Sequence, residues 1–188
     1  VYVQDSIADG FIRAFVEKTE SLRTGDGLDE ASNVGPMISD GQRAHVIDQI
    51  SRAVEQGATV AVGGGEHPDR FVTPTLLTGV THEMDIARGE TFGPVAAIIR
   101  VRDEDEAVEL ANDTPFGLGA SVYGPDEEAY DVARRLTSGM IGVNQGIRGV
   151  KGMPWVGAKE SGYGFHSSPE GHRQFTQTRV VSRPRRTS

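Results

Sequence analysis

The 188-residue sequence predicts an α/β fold in which helices cover both faces of a parallel sheet. Two observations predict it. From residue 95 onward the patterns alternate as strand, helix, strand, helix and strand, an order that gives parallel strands joined by right-handed crossovers. The first strand of this series, Val95–Val101, is a nearly continuous apolar run, which is typical of a strand buried on both faces.

Two amphipathic helices are predicted earlier in the chain, after a short β-rich stub at residues 1–4. Asp5 and Ser6 can cap a helix over residues 7–22, and Asp40 can cap a second helix that ends near Gln56. Apolar residues recur at helical spacing on one face of each helix. The predicted core positions are Ile7, Phe11, Phe15 and Leu22 in the first helix and Ala44, Ile47, Ile50 and Val54 in the second.

Strands and helices then alternate to residue 144. Pro74 is expected to keep the extended run Phe71–Leu77 at a sheet edge, because proline cannot donate to a ladder. Asp103 and Glu106 have the spacing of a capping box at the start of a helix. The elements predicted over this stretch are strands at 58–62, 71–77 and 95–101, a helix from 103 to 112, a strand at 119–123, a helix from Pro125 to Thr137 that stops at Gly139, and a strand at 140–144.

The last part of the chain contains a long segment without periodicity. Residues 145–171 hold seven glycines and follow the carboxyl end of a strand, where α/β sheets place their ligands. A loop of this length in a compact domain is usually functional or disordered. A β-rich tail, Gln174–Ser182, follows it.

Composition excludes several function classes. The formal net charge of −8 argues against a nucleic-acid partner, which would meet a basic surface. No apolar run approaches the roughly 20 residues of a membrane span, so no membrane partner is expected. The sequence has no cysteine, which excludes a thiol nucleophile supplied by this polypeptide. The five histidines lack metal-ligand spacing, so no metal site is expected, and His45 is expected to be solvated on a polar helix flank.

Two catalytic motifs are also excluded. In Gly152–Lys159, Ala158 separates the second glycine from the lysine, unlike in a phosphate-binding loop. Ser161 lacks the flanking glycines of a hydrolase nucleophile elbow.

Glu90 is a better candidate for a ligand-binding residue, because it precedes an aromatic residue and a Gly-Pro turn at the entrance of the buried strand. Its carboxylate can accept hydrogen bonds from a sugar diol, although the residues alone also fit a plain surface turn.

Several motifs in the right order resemble the NAD(P)-dependent aldehyde dehydrogenase superfamily. The resemblance covers essentially the whole chain. The motifs that carry it are Gly35–Ile38 (GPMI), Pro74–Leu77 (PTLL), Met84–Ile86 (MDI), Glu90–Val95 (ETFGPV), Asn112–Leu118 (NDTPFGL), Ser138–Asn144 (SGMIGVN) and Pro154–Gly164 (PWVGAKESGYG).

The resemblance implies a Rossmann-like, parallel-sheet half of the catalytic domain over residues 1–173, followed by an oligomerisation strand and tail over residues 174–188. It implies that the nucleophilic cysteine lies upstream of Val1, so that this chain alone would be inactive. The implied activity is oxidation of an aldehyde to a carboxylic acid with NAD or NADP: the thiolate attacks the aldehyde carbon, hydride leaves, and water hydrolyses the thioester. The implied setting is a cytoplasmic homo-oligomer, either a dimer or a tetramer.

Site residues follow from the same resemblance. Glu90 would hold the nicotinamide ribose hydroxyls, and Phe92 would pack beside the nicotinamide. Trp155, at a position where the family usually has phenylalanine, would line the aldehyde pocket. The other implied pocket residues are Asn144, Gln145 and Arg148.

The sequence departs from the family motifs at a few positions, and two further interpretations stay open. Gly89 replaces a glutamate, Val156 replaces a glycine, and Phe165-His166 replaces an Arg-Glu pair. The chain is alternatively a non-catalytic, truncated module that acts in oligomerisation or regulation. A third interpretation, a generic nucleotide-binding α/β domain, predicts that nucleotide binding survives the substitution Glu90→Ala.

Overall fold

The computed structural model describes residues 1–65 and 69–184. The chain divides into two compact units, residues 1–111 and residues 112–188. None of the helices in the described residues is both long and apolar enough to span a membrane.

The first unit forms, in its described residues, four helices and five strands, and the strands make two sheets. Its elements are β1 Tyr2–Gln4, α1 Asp5–Glu20, α2 Asp40–Glu55, β2 Thr59–Val62, β3 Thr75–Thr78, α3 Asp85–Arg88, β4 Val95–Ala97, β5 Ile99–Val101 and α4 Glu104–Asn112. Strands β1 and β5 pair in parallel, and a second sheet has the order β2-β3-β4. In that sheet β3 is parallel to β4 and antiparallel to β2.

The apolar run at 95–101 forms two short strands rather than the one predicted. It changes partner at Ile98, whose side chain is 1% exposed. The amide of Ile98 donates to the Leu77 carbonyl at 2.9 Å, on the β3 side, while the amide of Ile99 donates to the Val1 carbonyl at 2.9 Å, on the β1 side. The run is therefore hydrogen-bonded to β3 up to Ile98 and to β1 from Ile99 onward.

Pro74 does not keep its strand at a sheet edge. Strand β3 begins directly after the proline and is the central strand of its sheet. Pro74 costs no ladder bond because the first amide that is needed belongs to Thr75, which donates to the Pro94 carbonyl at 2.9 Å. The edge prediction is wrong because proline is also tolerated immediately before a strand starts.

The first two predicted helices both form, as α1 and α2, but their ends and buried faces differ from the prediction. Helix α1 begins at Asp5, so Asp5 and Ser6 lie in its first turn instead of capping it, and Ile7 is 59% exposed. In α2 the cap is Ser39, whose side chain accepts from the Gln42 amide at 3.1 Å.

The core-facing side of α2 also differs from the predicted one. The buried residues of α2 are Val46, Gln49, Ile50 and Ala53. Ala44 is exposed and Val54 is 46% exposed, which corrects two of the four predicted core positions. The buried face contains a polar residue, Gln49, which a count of apolar positions leaves out.

The second unit contains the predicted strand, helix and strand in parallel. Its elements are β6 Gly119–Val122, α5 Asp126–Ala133, β7 Met140–Val143, β8 Trp155–Val156, β9 Phe165–His166 and α6 Pro169–Arg173. Strands β6 and β7 pair in parallel along their whole length, which confirms the α/β prediction here. Helix α5 ends at Ala133, four residues before the predicted end, so Gly139 does not stop it.

The segment at 145–171 is more regular than predicted. Strands β8 and β9 form an antiparallel pair, and Ser168 caps α6. Gly139 allows this hairpin to lie against the start of β7, because a Cβ at position 139 would stand 2.3 Å from the Val156 carbonyl oxygen. Residues 177–184 belong to no helix or strand of the single chain, and the last four residues of the predicted tail, 185–188, lie outside the described residues.

Candidate functional site

The turn at residues 90–94 presents side chains outward from a strained backbone. It links α3 to β4, and Phe92 has φ +48°, a left-handed conformation that is rare for a bulky residue. The Phe92 ring is 76% exposed, and Glu90 is also exposed. The Glu90 carboxylate makes no hydrogen bond or ion pair with residues 1–65 or 69–184. It is therefore available to a ligand.

Helix α2 holds the backbone of this turn. The Gln42 side-chain amide donates to the carbonyls of Thr91 at 3.0 Å and Phe92 at 3.4 Å. One turn along the helix, the Nε2 of His45 lies 3.3 Å from the Glu90 carbonyl oxygen and donates to it in the Nε2-protonated tautomer. Three consecutive carbonyls of the turn are thus bound by side chains from one face of α2.

This finding corrects the expectation for His45. The residue is exposed, as expected of a solvated histidine, but its ring bonds to the main chain of a turn 45 positions away. The next residue, Val46, packs so closely on Gly93 that a Cβ there would stand 2.7 Å from the valine Cγ2. Sequence reasoning missed Gln42 and His45 because nothing in the sequence indicates which carbonyl a surface side chain binds.

A hollow of about 290 Å³ adjoins the turn. It connects the beginning of β1, the turn residue Thr91 and strand β4. The residues that line it are Val1, Tyr2, Ile86, Ala87, Thr91, Val95, Ala96, Ala97 and Ile99. Most of the lining residues are aliphatic, but the surface that faces the hollow is about as polar as it is apolar.

One wall of the hollow is fixed by a buried pair that the sequence analysis did not find. The Tyr2 hydroxyl lies 2.9 Å from Nδ1 of His82 and donates to the Leu110 carbonyl at 3.3 Å. His82 is 6% exposed. The buried His82 needs such a partner, and the bond in turn holds the side chain of Tyr2, a residue that lines the hollow.

In the second unit, Asn144 ties the end of β7 to the turn after β6. Its side-chain Oδ1 accepts from the Gly124 main-chain amide at 3.0 Å, and the main-chain amide of Asn144 donates to the Val122 carbonyl at 2.8 Å. Asn144 has φ +51°, which asparagine tolerates better than most residues. Gln145 and Arg148 follow as exposed side chains, and Arg148 forms no ion pair with any described residue.

Trp155 lies at the start of the β8–β9 hairpin. It is partly buried, and its register partner across the hairpin is His166. The two ring centroids are 6.4 Å apart and the planes differ by 21°. Sequence reasoning gave no role to His166 beyond noting that it departs from the family motif.

Two of the recognised motifs in the second unit contact each other. Nζ of Lys159 donates to the carbonyls of Asn112 at 2.8 Å and Thr114 at 3.1 Å. Nearby, the Gly117 amide donates to the Ser161 hydroxyl at 3.0 Å. Lys159 therefore fixes the main chain at residues 112–114.

In residues 1–65 and 69–184, no cluster of three histidine, aspartate or glutamate residues could hold a metal ion, and His67 lies outside these ranges.

The turn and the two motif regions match known proteins. Residues 1–181 match the profile of the "Aldehyde dehydrogenase family". The chain is 40% identical over 182 residues to the NADP(+) succinate-semialdehyde dehydrogenase of Deinococcus radiodurans, covering 95% of this chain and 38% of that relative.

Solved structures are similar in fold as well. A succinate-semialdehyde dehydrogenase from Burkholderia pseudomallei has a TM-score of 0.86 at 37% identity, over 90% of this chain and 36% of that one. Betaine aldehyde dehydrogenase from Staphylococcus aureus, in complex with NAD+, has a TM-score of 0.87 at 34% identity, over 93% of this chain and 36% of that one. The chain thus spans little more than a third of the length of these proteins, and it belongs to the aldehyde dehydrogenase family.

Proposed function

We propose that this chain is the part of an NAD(P)-dependent aldehyde dehydrogenase that holds the nicotinamide half of the cofactor and forms walls of the aldehyde pocket. The activity is oxidation of an aldehyde to a carboxylic acid, with the nucleophilic cysteine supplied by residues upstream of Val1. One observation carries the proposal: the turn that presents Glu90 and Phe92 adjoins, through Thr91, a hollow at the beginning of the first strand.

The residues of the turn fit a nicotinamide nucleotide. Glu90 offers an exposed carboxylate without a partner among the described residues, which suits a ribose diol. Phe92 offers an exposed aromatic ring two residues away, which suits packing against a flat heterocycle. When bound, NAD or NADP supplies the hydride acceptor.

The contribution of this chain is positioning. Gln42 and His45 bind the carbonyls of the turn, so the outward direction of Glu90 and Phe92 is set before any ligand arrives. Holding reacting groups in place lowers a barrier by several kcal/mol in general, about 7–11 kcal/mol at best. A turn held by a 16-residue helix is suited to that task.

The substrate we propose is an aldehyde that also carries a carboxylate. The names of the Deinococcus and Burkholderia relatives support it, and so does Arg148, an exposed cation without an ion-pair partner among the described residues. Asn144, Gln145 and Trp155 complete the proposed pocket wall. Arginine is suited to bidentate recognition of a carboxylate.

We also propose the domain division and setting that the family implies. Residues 1–173 belong to the catalytic domain, and residues 174–188 are an oligomerisation strand and tail in a cytoplasmic homo-oligomer. The exposed Phe175, Val180 and Val181 support an association surface in the tail. Light scattering of the full-length protein tests it, and a monomer at high concentration would contradict it.

The test of the proposed function is a cofactor titration of the full-length protein that contains this chain. Reduced nicotinamide formed from succinic semialdehyde is followed by absorbance. Glu90→Gln is expected to raise the KM for the cofactor by about tenfold or more, since a hydrogen bond to a charged group is worth about 1.5–3 kcal/mol. Glu83→Gln, an exposed glutamate earlier in the same stretch, is the matched control. Equal cofactor KM values for both variants would contradict the proposal.

A further inference from the structure

Four of the positions at which this sequence departs from the family motifs meet in one hairpin. Strand β8 carries Trp155 and Val156, and β9 carries Phe165 and His166. The register pairs Trp155 with His166 and Val156 with Phe165. Opposite residues of an antiparallel pair are the units that stabilise it. The four substitutions are therefore two matched cross-strand pairs, one of which contains the proposed wall of the aldehyde pocket.

The geometry of the first pair is that of an offset stack. The Trp155 and His166 centroids are 6.4 Å apart with an interplanar angle of 21°. Aromatic pairs prefer such offset arrangements at about 4.5–7 Å between centroids. The imidazole therefore lies beside the indole and nearly parallel to it, so it is a neighbour that can restrict the indole plane.

His166 is itself held in place by its neighbours. Its Nδ1 lies 2.7 Å from the Ser167 hydroxyl. On the backbone side, Gly171 of α6 approaches so closely that a Cβ there would stand 2.7 Å from the His166 Cα. Helix α6 is fixed in turn by the buried Ser168, whose hydroxyl accepts from the Gly171 amide at 3.0 Å. Helix α6 therefore restrains the main chain of His166, and Ser167 restrains its exposed imidazole.

We infer that His166 is a positioning residue that sets which aldehydes the enzyme accepts, by stacking on Trp155 and fixing the plane of the indole. This inference rests on the proposed function, because it requires Trp155 to line the aldehyde pocket. A fixed aromatic wall discriminates substrates by width, and pockets of this kind distinguish small apolar differences by about 10–200-fold. Without the imidazole, the indole gains rotational freedom and the pocket loses that discrimination.

The stack is tested first in the full-length protein. Trp155 is the single tryptophan of these 188 residues, so intrinsic fluorescence reports this side chain once any tryptophan elsewhere is replaced by phenylalanine. His166→Ala is expected to raise the acrylamide quenching constant by about twofold, because the indole loses a neighbouring ring. His166→Phe keeps a flat ring and should retain the wild-type value, as should His172→Ala, which removes an exposed histidine of α6. Equal quenching in wild type and His166→Ala would overturn the stack.

Specificity is tested on the full-length enzyme with succinic semialdehyde and 4-carboxybenzaldehyde, which both carry a carboxylate and differ in width. His166→Ala is expected to change the ratio of their kcat/KM values by about three- to tenfold through KM, with kcat nearly unchanged. His166→Phe should restore the wild-type ratio, and Ser167→Ala, which keeps the ring but removes its anchor, should lie between. An unchanged ratio in His166→Ala, or a His166→Phe variant no different from it, would overturn the inference.

The two proposals fail in different ways. If the wild-type enzyme oxidises no aldehyde with NAD or NADP, the proposed function is wrong, and the inference falls with it even if the fluorescence shows the stack. If the wild type is active but the ratio is insensitive to His166, the proposed function stands and only the inference is lost.

Discussion

The turn at 90–94 and the hairpin of β8 and β9 reach an ordered shape by different routes. The carbonyls of the turn are bound by Gln42 and His45, which belong to a long helix remote in sequence. The hairpin has two residues in each strand, and its side chains are ordered by one another. In the turn, the side chains of Glu90 and Phe92 take no part in holding the backbone. In the hairpin, the side chains of Trp155 and His166 support each other.

This difference explains where the sequence can change. A turn held through its backbone keeps its shape whatever its side chains are, so those side chains can be dedicated to a ligand. A hairpin held through its side chains changes in pairs, and the departures from the family motif at 155–156 and 165–166 are such pairs. Contacts to the common cofactor suit the first design, and adjustable contacts to a substrate suit the second.

The largest expected effect comes from adding a methyl group where the hairpin lies against β7. Gly139→Ala would place a Cβ 2.3 Å from the Val156 carbonyl oxygen and 2.7 Å from its carbon. These atoms are main chain and cannot rotate away, so we expect a loss of about 1–3 kcal/mol in the free energy of unfolding. Urea unfolding followed by Trp155 fluorescence measures it in the second unit.

The control for this prediction lies in the same region. Gly146→Ala adds the same methyl group where no atom outside its chain neighbours lies within 4 Å. It should leave the urea midpoint nearly unchanged. If Gly139→Ala were as stable as Gly146→Ala, the hairpin would not be seated on β7 as described.

A smaller effect is expected from the helix that holds the turn. Gln42→Ala removes both side-chain hydrogen bonds to the carbonyls of Thr91 and Phe92. Each bond contributes about 1 kcal/mol, so the cofactor KM of the full-length enzyme should rise by about three- to tenfold while the kcat changes little. Steady-state titration of the cofactor measures this effect.

Two controls accompany this prediction. Glu55→Ala, at the opposite end of α2, is exposed and should not alter the cofactor KM. The fluorescence of Trp155 should not change in Gln42→Ala, because the Gln42 side chain bonds to the turn at 90–94. A changed tryptophan signal would mean that the substitution acts beyond the turn.

Sequence patterns predicted the elements well where the signal is local. The helix after Asp103 forms as expected, since the Asp103 side chain accepts from the Glu106 amide at 2.9 Å. The carboxylate of Glu106 returns a bond one position earlier than in a capping box, to the Arg102 amide at 2.7 Å. Capping is decided within four residues, which is why it can be read from the sequence.

Features that depend on distant partners could not be predicted in this way. Nothing near Ile98 indicates that the apolar run changes partners there, because the partners β1 and β3 are far away in the sequence. The buried face of α2 was misjudged because it includes Gln49, a polar residue. The motif matches singled out Glu90 and Phe92 as candidates. They did not indicate the helix that bonds to this turn, since the identity of a residue does not show which side chain donates to its main-chain carbonyl.

The smallest expected effect concerns acid stability in the first unit. The amide of Arg102 donates to Glu106, with the Arg102 guanidinium also bonded to it, and these contacts lower the pKa of the Glu106 carboxyl. A carboxyl with a lowered pKa in the folded state stabilises the fold at pH values above its unfolded pKa of about 4.3. That contribution is lost as the pH falls through the folded-state pKa.

Glu106→Gln isolates this contribution because glutamine keeps an acceptor oxygen but carries no charge. At neutral pH the variant should unfold at a slightly lower urea concentration than the wild type, and the gap should close on acidification below about pH 4. Glu109→Gln, an exposed glutamate on the same helix, should show no such gap. A gap that persisted at low pH would mean that Glu106 acts through packing or hydrogen bonding rather than through its charge. The cap of α4 would then be like the β8–β9 hairpin, which is ordered by packing and not by charge.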